Sequence, residues 1–191
     1  MKFRYKAVTA GIAMLGVSAA SAAPETFTID PAHTYPTFEA NHFGISVQRG
    51  RFDRTAGKIV LDRQAKTGSI DLSIDATSIN MGFEDWNKHM RGEDFFNVEK
   101  FPAITFKSNK LIFEGDKIVG AQGEFTLLGV TKPLRLKVSN FACTQHPMLK
   151  KLNCGAEIAA DIKRSDFGMK IGIPMVGDDI RLISPIEALK D

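Results

Sequence analysis

"SIDLSIDATSI", residues 69–79, alternates apolar and polar positions with a period of two. Ile70, Leu72, Ile74 and Ala76 fall on one side, and Asp71, Ser73, Asp75 and Thr77 on the other. Successive side chains of an extended chain point to opposite faces, so this stretch reads as a half-buried strand. The same alternation extends in both directions. "GKIVLD" (57–62) precedes it across a polar turn, with Gly57 and Gly68 as punctuation. "TYPTFEANHF" (34–43) and "ISVQRGRF" (45–52) supply two strands further upstream. There Pro36 predicts an edge or bend and Gly50 a bulge. Downstream follow "AITFKS" (103–108), "GEFTLL" (123–128), "LRLKVSNF" (134–141), "AEIAADIK" (156–163) and "DIRLISPIEAL" (179–189). About eight strands separated by Gly-, Asp- or Pro-containing turns predict an all-β, antiparallel sandwich or barrel.

One segment breaks the period. In "FEDWNKHMRG" (83–92), Phe83, Trp86 and Met90 stand at i, i+3 and i+7, with acids early, Arg91 late and Gly92 after. That is a short amphipathic α-helix with matching ends. "FFNVEKFP" (95–102) adds a helical turn that Pro102 stops. A lone helix inserted into an all-β chain predicts a barrel with a lid or plug, with Trp86 and Met90 sealing one end.

The N-terminus sets the compartment. Lys2, Arg4 and Lys6 come without an acid, residues 7–17 are an apolar run, and Ala20-Ser21-Ala22 gives a small-residue pattern. In that order they form an export signal, residues 1–22, with cleavage expected after Ala22. The run is too short to cross a bilayer as a helix, and no cysteine stands near for lipid attachment. No stable membrane anchor is therefore expected, and residues 23–191 form one domain. The whole chain carries 25 Lys+Arg against 22 Asp+Glu, and three of those bases lie in the signal. The exported chain is formally neutral, without the basic excess that a nucleic-acid binder uses to displace counterions. Of 14 phenylalanines only Phe3 lies in the signal. So much Phe supplies a core or a greasy pocket, and composition does not separate the two.

"CTQHPMLKKLNC" (143–154) holds both cysteines of the chain. In an exported protein two cysteines read first as one disulfide, Cys143 to Cys154, which stabilises by roughly 3 kcal/mol on the chain-entropy estimate. Zinc on Cys143, His146 and Cys154 lacks the fourth ligand that a structural site takes. A catalytic thiol would have a second cysteine close enough to quench it.

Catalytic signatures are missing: there is no G-x-S-x-G, H-E-x-x-H, P-loop or G-x-G-x-x-G. His33, His42, His89 and His146 include no i,i+2 or i,i+4 pair, so neither a metal site nor a cofactor is expected. Asp30 and His33 in "IDPAHT" fit an acid–base pair, and a structural turn better. "KRSDFGM" (163–169) reads as an Arg164–Asp166 turn network or a seat for an anionic head.

Five stretches taken together resemble the YceI-like family: "IDPAHTYPTFEANHFG", "RGRFDRTAGKIVLD", "DFFNVEKFPAITFKS", "GEFTLLGVTKPLRL" and "CGAEIAADIKRSDFGM". They stand in the family's order and span almost all of residues 25–189. The resemblance implies an exported, lipocalin-like antiparallel β-barrel of about eight strands that binds a polyisoprenoid-type lipid. The family's frequent Asp-x-His-Leu pattern is here Asn87-Lys88-His89-Met90, so a role resting on that acid does not carry over. The cysteine pair is not general to the family either.

A prenyl chain is almost purely apolar, and each buried CH₂ contributes about 0.8 kcal/mol. Candidate ligand-binding residues, chosen for size and position, are Phe38, Phe43, Phe52, Trp86, Met90, Phe95, Phe106 and Phe125. Arg164 or His42 would meet a polar head. Small residues such as Ala156, Ala159 and Ala160 favour a hollow interior. The expectation is a periplasmic binding or carrier protein, not an enzyme, for an isoprenoid-tailed amphiphile such as a polyprenyl phosphate or quinone. A homodimer is left open. The rivals are a hydrolase or isomerase using Asp30, His33 or His42, and a ligand-free structural barrel.

Overall fold

The computed structural model describes residues 23–191. The expected export signal, residues 1–22, and the expected cleavage after Ala22 lie outside the described residues. Eleven strand segments follow in chain order: β1 (Glu25–Ile29), β2 (Thr37–His42), β3 (Ser46–Phe52), β4 (Thr55–Asp62), β5 (Thr67–Asp75), β6 (Ile79–Asn80), β7 (Ala103–Glu114), β8 (Lys117–Leu127), β9 (Val130–Gln145), β10 (Leu152–Lys163) and β11 (Val176–Lys190). One helix, α1 (Glu84–Arg91), sits between β6 and β7.

Six of these segments are halves of three interrupted strands. β1 and β2 run in the same direction along β11, with Ile29 opposite Ala188 and Thr37 opposite Ile183. β4 then pairs with β1 and β3 with β2, while β5 pairs with β4 and β6 with β3. Counted this way there are eight strands, and the β1–β11 pairing closes them into an antiparallel barrel. Closure leaves no long unpaired edge.

Local side-chain chemistry makes the interruptions. The Asp75 carboxylate accepts from Thr77 N–H (2.8 Å) and Thr77 Oγ1 (2.7 Å), and Ser78 Oγ donates to Asp75 O (2.6 Å). These bonds compete with the ladder and wind Ala76–Ser78 into a 3₁₀ turn. Arg54 N–H donates to Ser78 Oγ (3.0 Å), so the neighbouring strand bends at the same level. Between β1 and β2, Asp30 Oδ1 accepts from Ala32 N–H (2.9 Å), and Pro36 brings no donor. The bend expected at Pro36 is there.

The bulge expected at Gly50 is not. Gly50 lies opposite Phe38 in an unbroken β2–β3 register. A Cβ there would sit 2.3 Å from Met81 Sδ and 2.5 Å from the Phe38 ring, so glycine makes room for side chains rather than for an extra residue. The helix is also one position shorter than its sequence pattern. Phe83 is the N-cap and 62% exposed, while Trp86 and Met90 pack inward. Glu84 and Asp85 in the first turn and Arg91 in the last complement the helix dipole. The turn before Pro102 closes through Phe101 N–H to Asn97 O, 2.9 Å.

The barrel therefore has two unlike ends. At the hairpin end lie the β4–β5, β7–β8 and β9–β10 turns and the chain terminus Asp191. At the α1 end lie the β2–β3 and β8–β9 turns, α1 and the segment after it, and the 164–175 loop. Among the described residues no helix is long and apolar enough to cross a membrane.

Candidate ligand-binding site

Alternation decides what faces the barrel axis. On β10, Cys154, Ala156, Ile158, Ala160 and Ile162 border the interior, opposite Ala188, Ile186, Ser184, Leu182 and Ile180 of β11. The interior contains a cavity of about 230 Å³. Its polar members are Thr37, Ser184 and Arg164. Thr37 Oγ1 donates to Tyr35 O (3.3 Å) and Ser184 Oγ to Pro185 O (2.7 Å), so both hydroxyls are engaged by backbone. The wall offers a ligand little but hydrocarbon.

Packing is unequal along the axis. At the α1 end Phe38, Phe52 and Phe96 form a triangle with ring centroids 5.2–6.2 Å apart, and Phe125 meets Phe167 edge-on at 5.5 Å. All five rings are buried, as is Met90. Further along, Ile59, Ile70, Leu134, Val138, Ile158 and Leu182 border the cavity yet are only partly buried. An inward side chain that keeps accessible surface in a closed barrel faces empty space. This end is hollow.

Six of the predicted apolar contacts, Phe38, Phe52, Met90, Phe95, Phe106 and Phe125, line the cavity. Phe43 does not: it follows β2 in the β2–β3 turn, 51% exposed, with its ring 4.2 Å from that of His42. His42 likewise stands off the wall at the end of β2, and Trp86 packs against the core without bordering the cavity. Arg164 lines the wall but does not present a free guanidinium. Its Nε donates to Gly177 O (2.8 Å), Nη1 to Met169 O (3.2 Å), and Nη2 to Ile171 O (2.8 Å) and Val176 O (2.9 Å). At 3% exposure this cation folds the 164–177 loop around itself, and burial pushes its pKa below the ordinary arginine range. Asp166, expected from sequence as its partner, instead pairs with Lys132, 3.6 Å away. The aliphatic half of the wall escaped the sequence reading, which favoured rings, although the alternation in "AEIAADIK" carried the signal.

Cys143 and Cys154 lie directly opposite each other on β9 and β10, with Cα atoms 4.0 Å apart, and are joined as a disulfide. His146, offered as a zinc ligand, instead caps its own turn, its Nδ1 accepting from Met148 and Leu149 N–H.

Asp30 and His33 do meet, Oδ2 to Nδ1 at 2.6 Å. Burial alone would raise the Asp30 pKa, but hydrogen bonds from His33 and Ala32 N–H outweigh it and hold the group low. The same bond holds His33 high. Glu187 completes a cluster whose possible metal-ligand atoms lie within 4.8 Å of one another. The protein's own groups already engage them, since Glu187 Oε2 accepts from Asn153 Nδ2 at 2.7 Å. His42, at the α1 end of β2, is not brought to this pair.

Comparison with known proteins agrees with this architecture. A UPF0312 protein of Shewanella putrefaciens is 30% identical over 191 residues, covering 100% of both chains. The crystal structure of Burkholderia cenocepacia BcnA superposes with a TM-score of 0.71 at 20% identity, covering 83% of this chain and 98% of that one. A Saccharophagus degradans structure, described as a polyisoprenoid binding domain implicated in plant cell wall breakdown, gives a TM-score of 0.65 at 17% identity, covering 86% and 98%. The YceI-like domain model matches residues 27–188, nearly the whole of the closed barrel, and the chain belongs to that family.

Proposed function

We propose that this chain is an exported, periplasmic binding or carrier protein for an amphiphile with an isoprenoid tail, such as a polyprenyl phosphate or a quinone. The observation that carries the reading is the hollow, hydrocarbon-walled cavity of about 230 Å³ in an otherwise well-packed barrel. An apolar cavity of about 150 Å³ stays dry and accepts a hydrocarbon ring, so this larger one suits a tail rather than water. A five-carbon prenyl unit contributes about 4 kcal/mol gross when buried, at about 0.8 kcal/mol per carbon. Against this stands the cost of immobilising the ligand. Phe106, Ile158 and Leu182 are the proposed tail contacts, with Phe38, Phe52, Met90, Phe95 and Phe125 closing the inner end. The description of the Saccharophagus degradans domain as polyisoprenoid binding supports the ligand class.

The test is native followed by denaturing mass spectrometry of protein taken from the periplasm without detergent. The reading expects an added mass of several hundred daltons that extracts into organic solvent as a prenyl compound. Bare protein that takes up neither quinone nor polyprenyl phosphate when offered would sink it.

A further inference from the structure

The hairpin end has a polar feature that the apolar cavity does not need. β1 begins with Glu25 and β11 ends with Lys190, and Lys190 Nζ meets Glu25 Oε1 at 2.6 Å. Arg63, just past β4, approaches the other oxygen, Nε to Glu25 Oε2, at 4.0 Å. Two cations therefore share one carboxylate. Lys58 and Lys66 nearby each hold a carboxylate of their own, Asp191 at 2.9 Å and Asp116 at 3.5 Å.

Arg63 is poorly partnered for a guanidinium. A 4.0 Å approach is too long for a hydrogen bond. Its remaining contacts are Nη2 to Cys143 Sγ (2.7 Å) and Cys154 Sγ (3.5 Å), and the Phe141 ring, whose centroid is 5.6 Å away. Sulfur is a weak acceptor, and arginine carries five N–H donors. Arg63 is 47% exposed, so its guanidinium is within reach of solvent. Its position is nonetheless fixed by two residues of the cavity wall, Phe141 and Cys154. The cavity lining reaches this end through Phe27, Leu61, Cys154 and Ala188, so a head held here can leave its tail in the cavity.

We infer that Arg63 and Lys190 bind the oxyanion of an amphiphile, a phosphate or carboxylate head, whose tail occupies the cavity; this rests on the carrier reading. The planar guanidinium takes two oxygens of such a group at once. The head displaces Glu25 from Lys190, so Glu25 is a competitor that keeps the empty rim closed. The ligand class is thereby narrowed from any isoprenoid amphiphile, quinones included, to an anionic one.

Calorimetric titration of the whole exported chain with farnesyl phosphate, farnesol and inorganic phosphate tests this. Farnesyl phosphate is expected to bind about tenfold or more tighter than farnesol, the gain of one charge-assisted contact. Arg63→Met and Lys190→Met should each shrink that preference while leaving farnesol affinity unchanged. Glu25→Gln should act oppositely and tighten farnesyl phosphate, a sign that general damage to the rim does not produce. Equal affinities for farnesol and farnesyl phosphate in the unaltered protein would overturn the head site and leave the carrier reading standing. Binding of neither would overturn both. Inorganic phosphate binding as tightly as farnesyl phosphate would make this a free-anion site and overturn the amphiphile.

Discussion

The two ends of the barrel hold arginines under opposite conditions. Arg164 at the α1 end is buried and bonded to four backbone carbonyls. Arg63 at the hairpin end is half exposed beside the cavity wall and rests on sulfur and a phenyl ring. The sequence puts Arg164 forward to meet a polar head and passes over Arg63. Only one has donors to offer, because a cation engaged by its own loop is architecture. The difference is one of completed against open hydrogen bonding, and burial follows from it.

Substitutions probe that contrast. Arg164→Met strands the carbonyls of Met169, Ile171, Val176 and Gly177, and is expected to destabilise by about 3–5 kcal/mol in urea unfolding. Arg63→Met should stay within about 0.5 kcal/mol, as surface changes do. Equal losses would erase the distinction between the ends. Phe52→Ala in the packed triangle should cost about 3–4 kcal/mol. Ile158→Ala in the hollow should cost only about 1–2 kcal/mol, because the void there already exists. Similar costs would mean the barrel is filled throughout. Replacing Cys143 and Cys154 by alanine should remove about 2–3 kcal/mol and loosen amide-exchange protection at the hairpin end alone. Loosening that reached α1 would show the two ends to be coupled.

The smallest effect concerns Asp30 and His33. The folded Asp30 pKa lies below its ordinary 3.8, so its contribution is present above that pH and fades as pH falls through the folded value. The folded His33 pKa lies above 6.5, so its contribution is full below 6.5 and is lost as pH rises through the folded value. The pair therefore stabilises in the mildly acidic window between them. In Asp30→Asn the His33 midpoint, followed by NMR, should drop toward 6.5; an unmoved midpoint would mean the bond is not formed in solution.

Alternation made the strands legible, and one helical stretch made α1 legible, since both are local periodicities. The breaks at 30–36, 53–54 and 76–78 were harder to read. They arise from Asp and Ser side chains that take hydrogen bonds from the ladder, and "DATS" reads equally well as the end of a strand. β1, "ETFTI", alternates but is hard to read, because it is only five residues long and follows closely on the expected export signal. The phenyl half of the cavity wall followed from residue size. The rim did not, because barrel closure brings residues 25, 63, 143 and 190 together from distant parts of the chain. "RQAK" (63–66) reads in isolation as an ordinary polar turn.

A crystal structure of the protein purified without detergent reads the barrel interior directly. Elongated density between Val138, Ile158 and Leu182, running from the aromatic triangle toward Arg63, is the expected result. An interior in which those side chains close on one another, with no ligand and no space, would contradict it.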